Sequence, residues 1–577
     1  MQILVFTEFP KSRSRPIWSN NPQVRLGEET RGRTIVSSIY STRPSITHRR
    51  WSPVGPTTQR TRGGALFPTL HPSPRRGPSA FAEQGYSALA MARRMGLSAL
   101  LQPPKTRQIT GRKTILLLVA GGAVFLWMFW SAMSQPNPDF HPWRDAELKD
   151  TYATYIATGV PLIKLAGTGS PATDIDTGTG FSPSVWDDDP GIYLAASYIG
   201  AAISADDPYE GVRLAQAFTA ALPWLLIPLL VARLFDSVVV GLAMIPAPLV
   251  MRLLVADGGA LVGTDYGRPV VGGIPVYALY GAAGSLVFLG LIVALFAATF
   301  AARRSVLWTS AISLGVIAGV AGLTRSLSGF PVIAAGLIII FPMRLPRLHR
   351  LAAGCTLIVL ALLLPVAIMA NVNAERSDAL GISASGLPTA HPVWHTTYLG
   401  LGYIGYQDDY ATENACDVRF SDQFAYDRAR EIDPSVQNHL GEYESIIRSL
   451  YFDAVVSNPM CALRGYALKL RDVYVQQGPL LIFVLAVWAI GFKEGSRRRA
   501  LTIGAGVALP AILIGTIPPV VVMPFRFFFV EHTAGLSLAF VVAAGWIVAF
   551  IAARRRSPES SPPLSENAPN ARHDQTL

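Results

Sequence analysis

Two carboxylates lie two residues apart in PNPDFHPWRDAELKDTYATYIATGVPL, and their type and position could support catalysis. The pattern predicts a helix from about Arg144, with Asp145 in its first turn and Tyr152 on the same face. A carboxylate here can act as a general base that takes a proton from an attacking hydroxyl. It can equally stabilise the positive end of the helix dipole. Glu147 points away from Asp145, because residues i and i+2 of a helix do not share a face.

Three successive acids, Asp187, Asp188 and Asp189, come directly before the Pro-opened apolar helix of PGIYLAASYIGAAI. Carboxylate oxygens are the ligands that hard cations such as Mg²⁺ and Mn²⁺ prefer, so these acids could bind a divalent cation. Acids before a helix also serve as solvated caps. The sequence leaves both interpretations open and establishes no cofactor.

A single arginine, Arg526, lies among aromatic residues in VVMPFRFFFVEHTAGL, at the start of the last apolar run. A guanidinium at this position could hold the charge of a phosphate group. Alternatively, Arg526 reaches up to lipid headgroups, as arginines near span ends commonly do.

Two histidines, His391 and His395, flank Trp394 at the i, i+4 spacing of a helix face in HPVWHTTYLGLGYIGYQDDYATENACDVRF. No glutamate follows His391, so the HExxH pattern of zinc hydrolases is absent. Aromatic faces beside polar side chains are typical of carbohydrate-binding surfaces, and we predict a substrate pocket here. Ordinary loop core is the alternative.

Later in the same region, NHLGEYESIIRSLYFDAVVSNPMCALRGYALKLRDVYVQQ predicts two amphipathic helices. The second carries Arg464, Lys469 and Arg471. It could cradle a lipid phosphate or simply lie on lipid headgroups.

Long apolar runs must position all of these residues. The first is TILLLVAGGAVFLWMFWSAMS from Thr114, long enough to cross a hydrocarbon core of about 30 Å at about 1.5 Å per residue. Further runs lie near 212–235, 237–255, 272–300, 306–324, 328–342, 351–370, 477–492, 500–523 and 529–552. We therefore predict an all-α integral membrane protein with about ten transmembrane helices.

Basic residues mark the cytoplasmic side of these predicted spans. Lys and Arg fall on alternate connections, which places both termini in the cytoplasm; Arg325 is the exception, on an outer turn. This topology predicts two long extracytoplasmic loops, at 135–211 and 371–476. The pattern favours the plasma membrane of a bacterium.

The amino-acid composition excludes several other classes of protein. Only 15% of the 577 residues are charged and the mean hydropathy is +0.34, so the chain is not an ordinary soluble domain. The net charge of +11 comes from the N-terminal segment and short loops, so no nucleic-acid partner is predicted. Three cysteines are too few for a disulfide scaffold; Cys416 and Cys461 share one outer loop and could pair if that compartment is oxidising.

The chain divides into segments of different composition. Residues 1–110 are rich in Arg, Ser and Pro, and we expect them to be disordered, with MARRMG at Met91 marking a start site downstream of the first residue. Residues 111–370 form a transmembrane core with the first outer loop. Residues 371–476 form the large outer loop, 477–553 the C-terminal spans and 554–577 a disordered cytoplasmic tail.

This order of elements resembles the GT-C superfamily of membrane glycosyltransferases over roughly residues 112–552. In that superfamily, one span precedes an outer loop with an acidic motif, then Tyr, Gly and a second acidic or Pro-rich stretch. The matching residues here are Asp145, Glu147, Tyr152 or Tyr155, Gly159 and WDDDPGIYL. Asp145 is followed by Ala, so the motif does not decide whether Asp145 or Glu147 is the base.

The resemblance implies transfer of a sugar from a polyprenyl-phosphate donor to an extracytoplasmic glycan or lipid acceptor. Asp145 or Glu147 would be the base, and Arg526 would hold the leaving phosphate. Membrane lipids would be the other partners. An O-antigen ligase or polymerase would centre its site on the late loop instead, and a transporter or flippase would show inverted halves with charges near the midplane.

Overall fold

A computed structural model describes most of the chain after residue 110. The described residues are 111–134, 142–168, 177–184, 190–256, 270–271, 274–275, 278–300, 304–343, 345–387, 393–403, 414–436, 441–493, 497–522 and 530–555. The predictions for residues 1–110 and for the tail after 555 concern residues outside these ranges. So do those for Asp187, Asp188, Asp189, His391 and Arg526.

Helices make up nearly all of the described structure. Those of the first half are α1 Gly111–Met133, α2 Pro142–Thr158, α3 Pro190–Leu194, α4 Gly200–Ala202, α5 Pro208–Leu234, α6 Val238–Leu242, α7 Ala247–Ala256, α8 Ala278–Thr299, α9 Arg304–Thr324 and α10 Gly329–Ile340. The remainder are α11 Arg347–Leu380, α12 Val393–Leu401, α13 Asp422–Ile432, α14 Gly441–Ser457, α15 Pro459–Gln476, α16 Gly478–Gly491, α17 Arg498–Ile514, α18 Ile517–Val521 and α19 Val530–Arg554. A π-helical turn, Ala195–Ile199, joins α3 to α4.

Strands occur in the described residues only as short antiparallel pairs. β1 (Ile163–Leu165) pairs with β2 (Phe181–Pro183), β3 (Val270–Val271) with β4 (Ile274–Pro275), and β5 (Asn414–Ala415) with β6 (Val418–Arg419). In the first pair, Lys164 lies opposite Ser182. The protein is therefore an all-α membrane protein with small hairpins in its loops.

Within the described ranges, seven helical segments are long and apolar enough to cross a membrane. They are Gly111–Met133, Pro208–Leu234, Gly281–Thr299, Arg304–Thr324, Arg347–Leu380, Arg498–Val521 and Val530–Arg554. An eighth would be the bent pair α15 and α16, whose axes differ by 79°. The prediction of about ten spans stays a prediction.

The other predicted runs form shorter helices for local reasons. The run at 237–255 is divided into α6 and α7 around Pro246, because proline lacks the N–H that would continue a helix. α10 has 12 residues and is about 18 Å long, less than the hydrocarbon thickness.

Glycines allow the long helices to approach closely. A Cβ on Gly121 of α1 would lie 2.3 Å from the carbonyl oxygen of Leu225 in α5. A Cβ on Gly315 of α9 would lie 2.7 Å from the Cβ of Leu360 in α11. Small residues at such crossings let helix backbones pack in contact, which is the usual means of association in lipid.

Residues 393–476 have a hydrophobic core of their own, separate from that of the bundle. This region, the late-loop unit, contains α12 to α15 and the β5–β6 hairpin. The buried members of its core are Tyr398, Leu399, Leu401, Val418, Ala425, Ala429, Val436, Tyr443, Ile447 and Ala462. A disulfide joins Cys416 to Cys461 and ties the hairpin to the start of α15.

Candidate functional site

Asp145 is a partly exposed carboxylate held by two donors. The Tyr209 hydroxyl donates to Oδ1 of Asp145, and Nζ of Lys149 lies 2.9 Å from Oδ2. The Asp145 side chain is 35% exposed. Tyr209 belongs to the first turn of α5, so the carboxylate lies at one end of a membrane-spanning helix.

Glu147 lies on another face of α2 and has different surroundings. Its Oε2 lies 3.0 Å from Nζ of Lys164 on β1, and both side chains are completely buried. A buried ion pair of this kind neutralises both charges and holds the two elements together. The structure therefore separates the two carboxylates that the sequence could not distinguish: Asp145 is accessible to solvent and Glu147 is not.

Tyr152 fixes α2 against α4 and the turn that precedes α5. Its hydroxyl donates to the Ala205 carbonyl oxygen at 2.6 Å, and its ring contacts Gly200, where a Cβ would lie 3.0 Å away. Burial, with smaller contributions from Asp206, Glu210 and Asp207, raises the pKa of the Tyr152 phenol. The hydroxyl therefore stays protonated and serves as a donor to the backbone.

The C-terminal end of α9 packs beside α3, in the segment between the first two spans. Gly191, at the start of α3, packs so closely on Thr324 that a Cβ would lie 2.8 Å from the Thr324 Cα. Thr324 ends α9, and Arg325 follows it. In the sequence, Asp189 thus directly precedes a helix that contacts the C-terminal end of α9.

Arg325 pairs with Glu531 at the start of α19. Nη1 of Arg325 lies 3.2 Å from Oε1 of Glu531, and the Ser328 hydroxyl donates to the same oxygen at 2.5 Å. All three residues are buried. This contact explains why an arginine is tolerated on a turn that the topology rule assigns to the outside: its charge is neutralised within the bundle.

His532, the next residue, is also completely buried. Its Nδ1 lies 3.2 Å from the Ile512 carbonyl oxygen and 3.1 Å from the Thr516 hydroxyl. A carbonyl can only accept, so Nδ1 carries the proton and Nε2 is the basic nitrogen. Neither Glu531 nor His532 was predicted as a functional residue from the sequence. Their signal was two ionisable residues inside an apolar run.

His395 and Trp394 lie in the late-loop unit. The His395 ring is buried, with Nδ1 2.5 Å from the Tyr443 hydroxyl and Nε2 3.2 Å from Oδ1 of Asp422. Burial, followed by nearby Tyr426, raises the pKa of Tyr443. The Asp422 carboxylate can only accept, so Nε2 of His395 carries a proton directed at Asp422, and in the neutral ring Nδ1 accepts from the Tyr443 hydroxyl.

Trp394 is half-buried and has ring neighbours on α14. Its ring centroid lies 5.5 Å from that of Tyr451 and 5.3 Å from that of Phe452. Its backbone N–H donates to Oε1 of Glu444 at 3.1 Å. A sugar-binding role for His395 and Trp394 stays a prediction. The contacts described for them are to the late-loop unit and not to Asp145.

Lys469 connects the late-loop unit to the bundle. Its Nζ donates to the carbonyl oxygens of Gly400 at 2.5 Å, Val522 at 3.0 Å and Val521 at 3.3 Å. Gly400 belongs to α12, whereas Val521 ends α18 and Val522 follows it. A cation at the ends of two helices satisfies carbonyls that have no partner inside their own helices.

Within the described ranges, no group of three or more His, Cys, Asp or Glu residues is arranged to hold a metal ion. The candidate cation ligands Asp187, Asp188 and Asp189 lie outside those ranges. A divalent cation at these acids stays a prediction.

Comparison with known proteins gives little information about function. No protein-family model matches the chain, and no solved structure matches it. It is 57% identical over 44 residues to the transposases for insertion sequence element IS1081 of Mycobacterium tuberculosis and Mycobacterium bovis. This match covers 8% of the chain and 11% of each transposase. The chain thus spans about a ninth of the length of the curated relatives it matches.

Proposed function

We propose that this membrane protein is a glycosyltransferase that moves a sugar from a polyprenyl-phosphate donor to an extracytoplasmic glycan or lipid. The observation that carries the proposal is the Asp145 carboxylate. It is accessible, oriented by Tyr209 and Lys149, and located at the end of a span where an acceptor and a lipid-borne donor can meet. A short transposase match over 11% of those enzymes does not support transposition.

In this proposal Asp145 is the base. Its carboxylate takes the proton of an acceptor hydroxyl as the hydroxyl oxygen attacks the anomeric carbon of the donor. The bond between that carbon and the phosphate oxygen breaks, and polyprenyl phosphate leaves with the electron pair. The Tyr209 and Lys149 donors fix the carboxylate in place, which limits the reorganisation needed before attack.

Glu147 is not the base in this scheme. Its carboxylate is buried and neutralised by Lys164, so a substrate hydroxyl could reach it only after a buried ion pair is broken. Glu147 instead anchors α2 on β1 and thereby sets the position of Asp145.

The leaving phosphate requires a cation. Arg526 remains our proposed partner because it precedes α19 by four residues in the sequence, and the start of α19 contacts the C-terminal end of α9 through Glu531 and Arg325. A divalent cation held by Asp187, Asp188 and Asp189 would supply further positive charge to the phosphate. A plasma-membrane location, with both termini cytoplasmic, would place Asp145 on the outer side.

The test is transfer from a panel of radiolabelled polyprenyl-phosphate sugars by the purified protein in nanodiscs. Asp145→Asn keeps the shape and removes the base, and we expect it to lower kcat by about 10²–10⁴-fold. Asp150→Asn, on the same helix, is the matched control and should retain wild-type turnover. A panel on which the wild type transfers nothing, or on which both variants match it, would contradict the proposal.

A further inference from the structure

The exposed face of α14 changes from polar to apolar along its length. Ser445, Ser449, Phe452 and Val456 share one face at helical spacing, and all four are exposed. Phe452 is 49% exposed and Val456 is 76% exposed. Such a gradient is expected of a helix whose first turns lie in water and whose last turns reach a lipid surface.

α15 continues the apolar strip after the turn at Asn458. Met460 is 70% exposed and Leu463 is 60% exposed, and Leu470 lies on the same side of the helix. The opposite side packs on protein through Ala462, Lys469 and Val473, which are buried. α15 thus has one face that the protein covers and one apolar face that no described part of the chain covers.

Two arginines border this exposed apolar face. Arg464 and Arg471 are both exposed, and at seven residues apart they lie on the same edge of the helix. Arg471 also pairs with the neighbouring Asp472 at 2.7 Å. An apolar strip with basic residues along one edge is the pattern of a helix lying in a membrane interface.

The angle between α15 and α16 indicates how α15 is oriented relative to the membrane. α16 is almost wholly apolar and carries exposed Ile482, Leu485 and Ile490, so its exposed face suits the hydrocarbon core. α15 is bent from it by 79°. A helix nearly perpendicular to one that enters the membrane lies close to the membrane plane.

We propose that α15 and the last turn of α14 form a lipid-binding surface on the outer leaflet. The strip of Val456, Met460, Leu463 and Leu470 enters the boundary between headgroups and acyl chains. Arg464 and Arg471 bind the phosphates of anionic lipids. Because Lys469, on the covered side of α15, bonds to Gly400 and Val522, this surface also holds the late-loop unit in place over the bundle. The proposal is independent of sugar transfer.

The first test measures depth in the bilayer. In a Cys355→Ser background, which removes the exposed free cysteine, single cysteines replace Leu463, Val456 or Ser445 and carry a fluorophore. In nanodiscs, we expect spin-labelled lipids to quench positions 463 and 456, and aqueous iodide to quench 445. Ser445 lies on the same face as Val456, about 16 Å away along α14. Quenching of position 463 by iodide alone would overturn the proposal.

The second test measures lipid binding by native mass spectrometry of the detergent-solubilised protein with phosphatidylglycerol. Arg464→Gln should weaken binding about fivefold, the effect of removing one arginine near an anionic surface. The control is Arg448→Gln, because Arg448 is exposed on the polar part of α14. Equal binding by both variants and the wild type would contradict the role of Arg464.

Discussion

The ammonium group of Lys164 lies 3.0 Å from Oε2 of Glu147, and neither side chain is exposed to solvent. The pair joins helix α2 to the β1–β2 hairpin, between residues that are 17 positions apart. It also removes one of two neighbouring carboxylates from contact with solvent, which leaves Asp145 as the accessible acid.

Breaking this pair should destabilise the protein. Glu147→Gln leaves the Lys164 charge buried without its counter-charge, and removal of one partner from a buried pair typically costs about 3–5 kcal/mol. We expect a lower temperature of thermal aggregation in detergent. The double variant Glu147→Leu, Lys164→Met should recover much of the loss, because it buries no unpaired charge.

The control for that experiment is Glu431→Gln. Glu431 pairs with Arg428 at the surface, where both side chains are about half exposed. Exposed pairs contribute about 0–1 kcal/mol. A Glu147→Gln variant as stable as Glu431→Gln would show that the buried pair does not support the fold.

Tyr209→Phe should lower turnover without abolishing it. The hydroxyl of Tyr209 donates to Asp145, and its loss leaves the carboxylate present but less firmly oriented. We expect kcat to fall about tenfold with little change in KM, measured by sugar transfer in nanodiscs. Tyr155→Phe is a suitable control, because Tyr155 lies on the same helix as Asp145 and contacts Tyr198 rather than the carboxylate. Equal activity of Tyr209→Phe and wild type would argue against Asp145 as an oriented base.

Reduction should loosen the late-loop unit. The disulfide between Cys416 and Cys461 closes a loop with a sequence separation of 45, and loop entropy gives it a stabilising effect of about 4 kcal/mol. With three cysteines in the chain, a thiol-reactive polymer added in denaturing detergent should label one site before reduction and three after it. Protease should cut the folded protein within 393–476 faster after reduction. Labelling of three sites in unreduced protein would contradict the disulfide.

Lys469→Met should free the late-loop unit from the bundle. The variant removes the Lys469 donor from the Val521 and Val522 carbonyl oxygens, and a buried group that loses its donor costs about 1–3 kcal/mol. The Gly400 carbonyl oxygen keeps the Tyr403 N–H as a donor but loses its bond to Lys469. Hydrogen exchange should increase in α12 and at the end of α18. Lys493→Met, which removes an exposed lysine, should leave exchange in both segments unchanged. Unaltered exchange in Lys469→Met would mean that other contacts hold the unit.

Much of the architecture was predictable because lipid imposes a simple rule on sequence. A span needs about 20 consecutive apolar residues, and runs such as 111–133 and 530–554 satisfy it without any tertiary information. The sequence likewise indicated that Asp145 could act as a base and that Cys416 could pair with Cys461. These conclusions depend on residue type and local spacing alone.

Only the tertiary structure distinguished residues that look alike in the sequence. Asp145 and Glu147 differ because Lys164 lies beside one and Tyr209 beside the other, and no local pattern encodes contacts across 17 or 64 positions. Arg325 similarly meets Glu531 across 206 positions. Whether a charge is buried and neutralised or exposed and reactive depends on the side chains that folding brings around it, and that environment is set by the packing of distant segments.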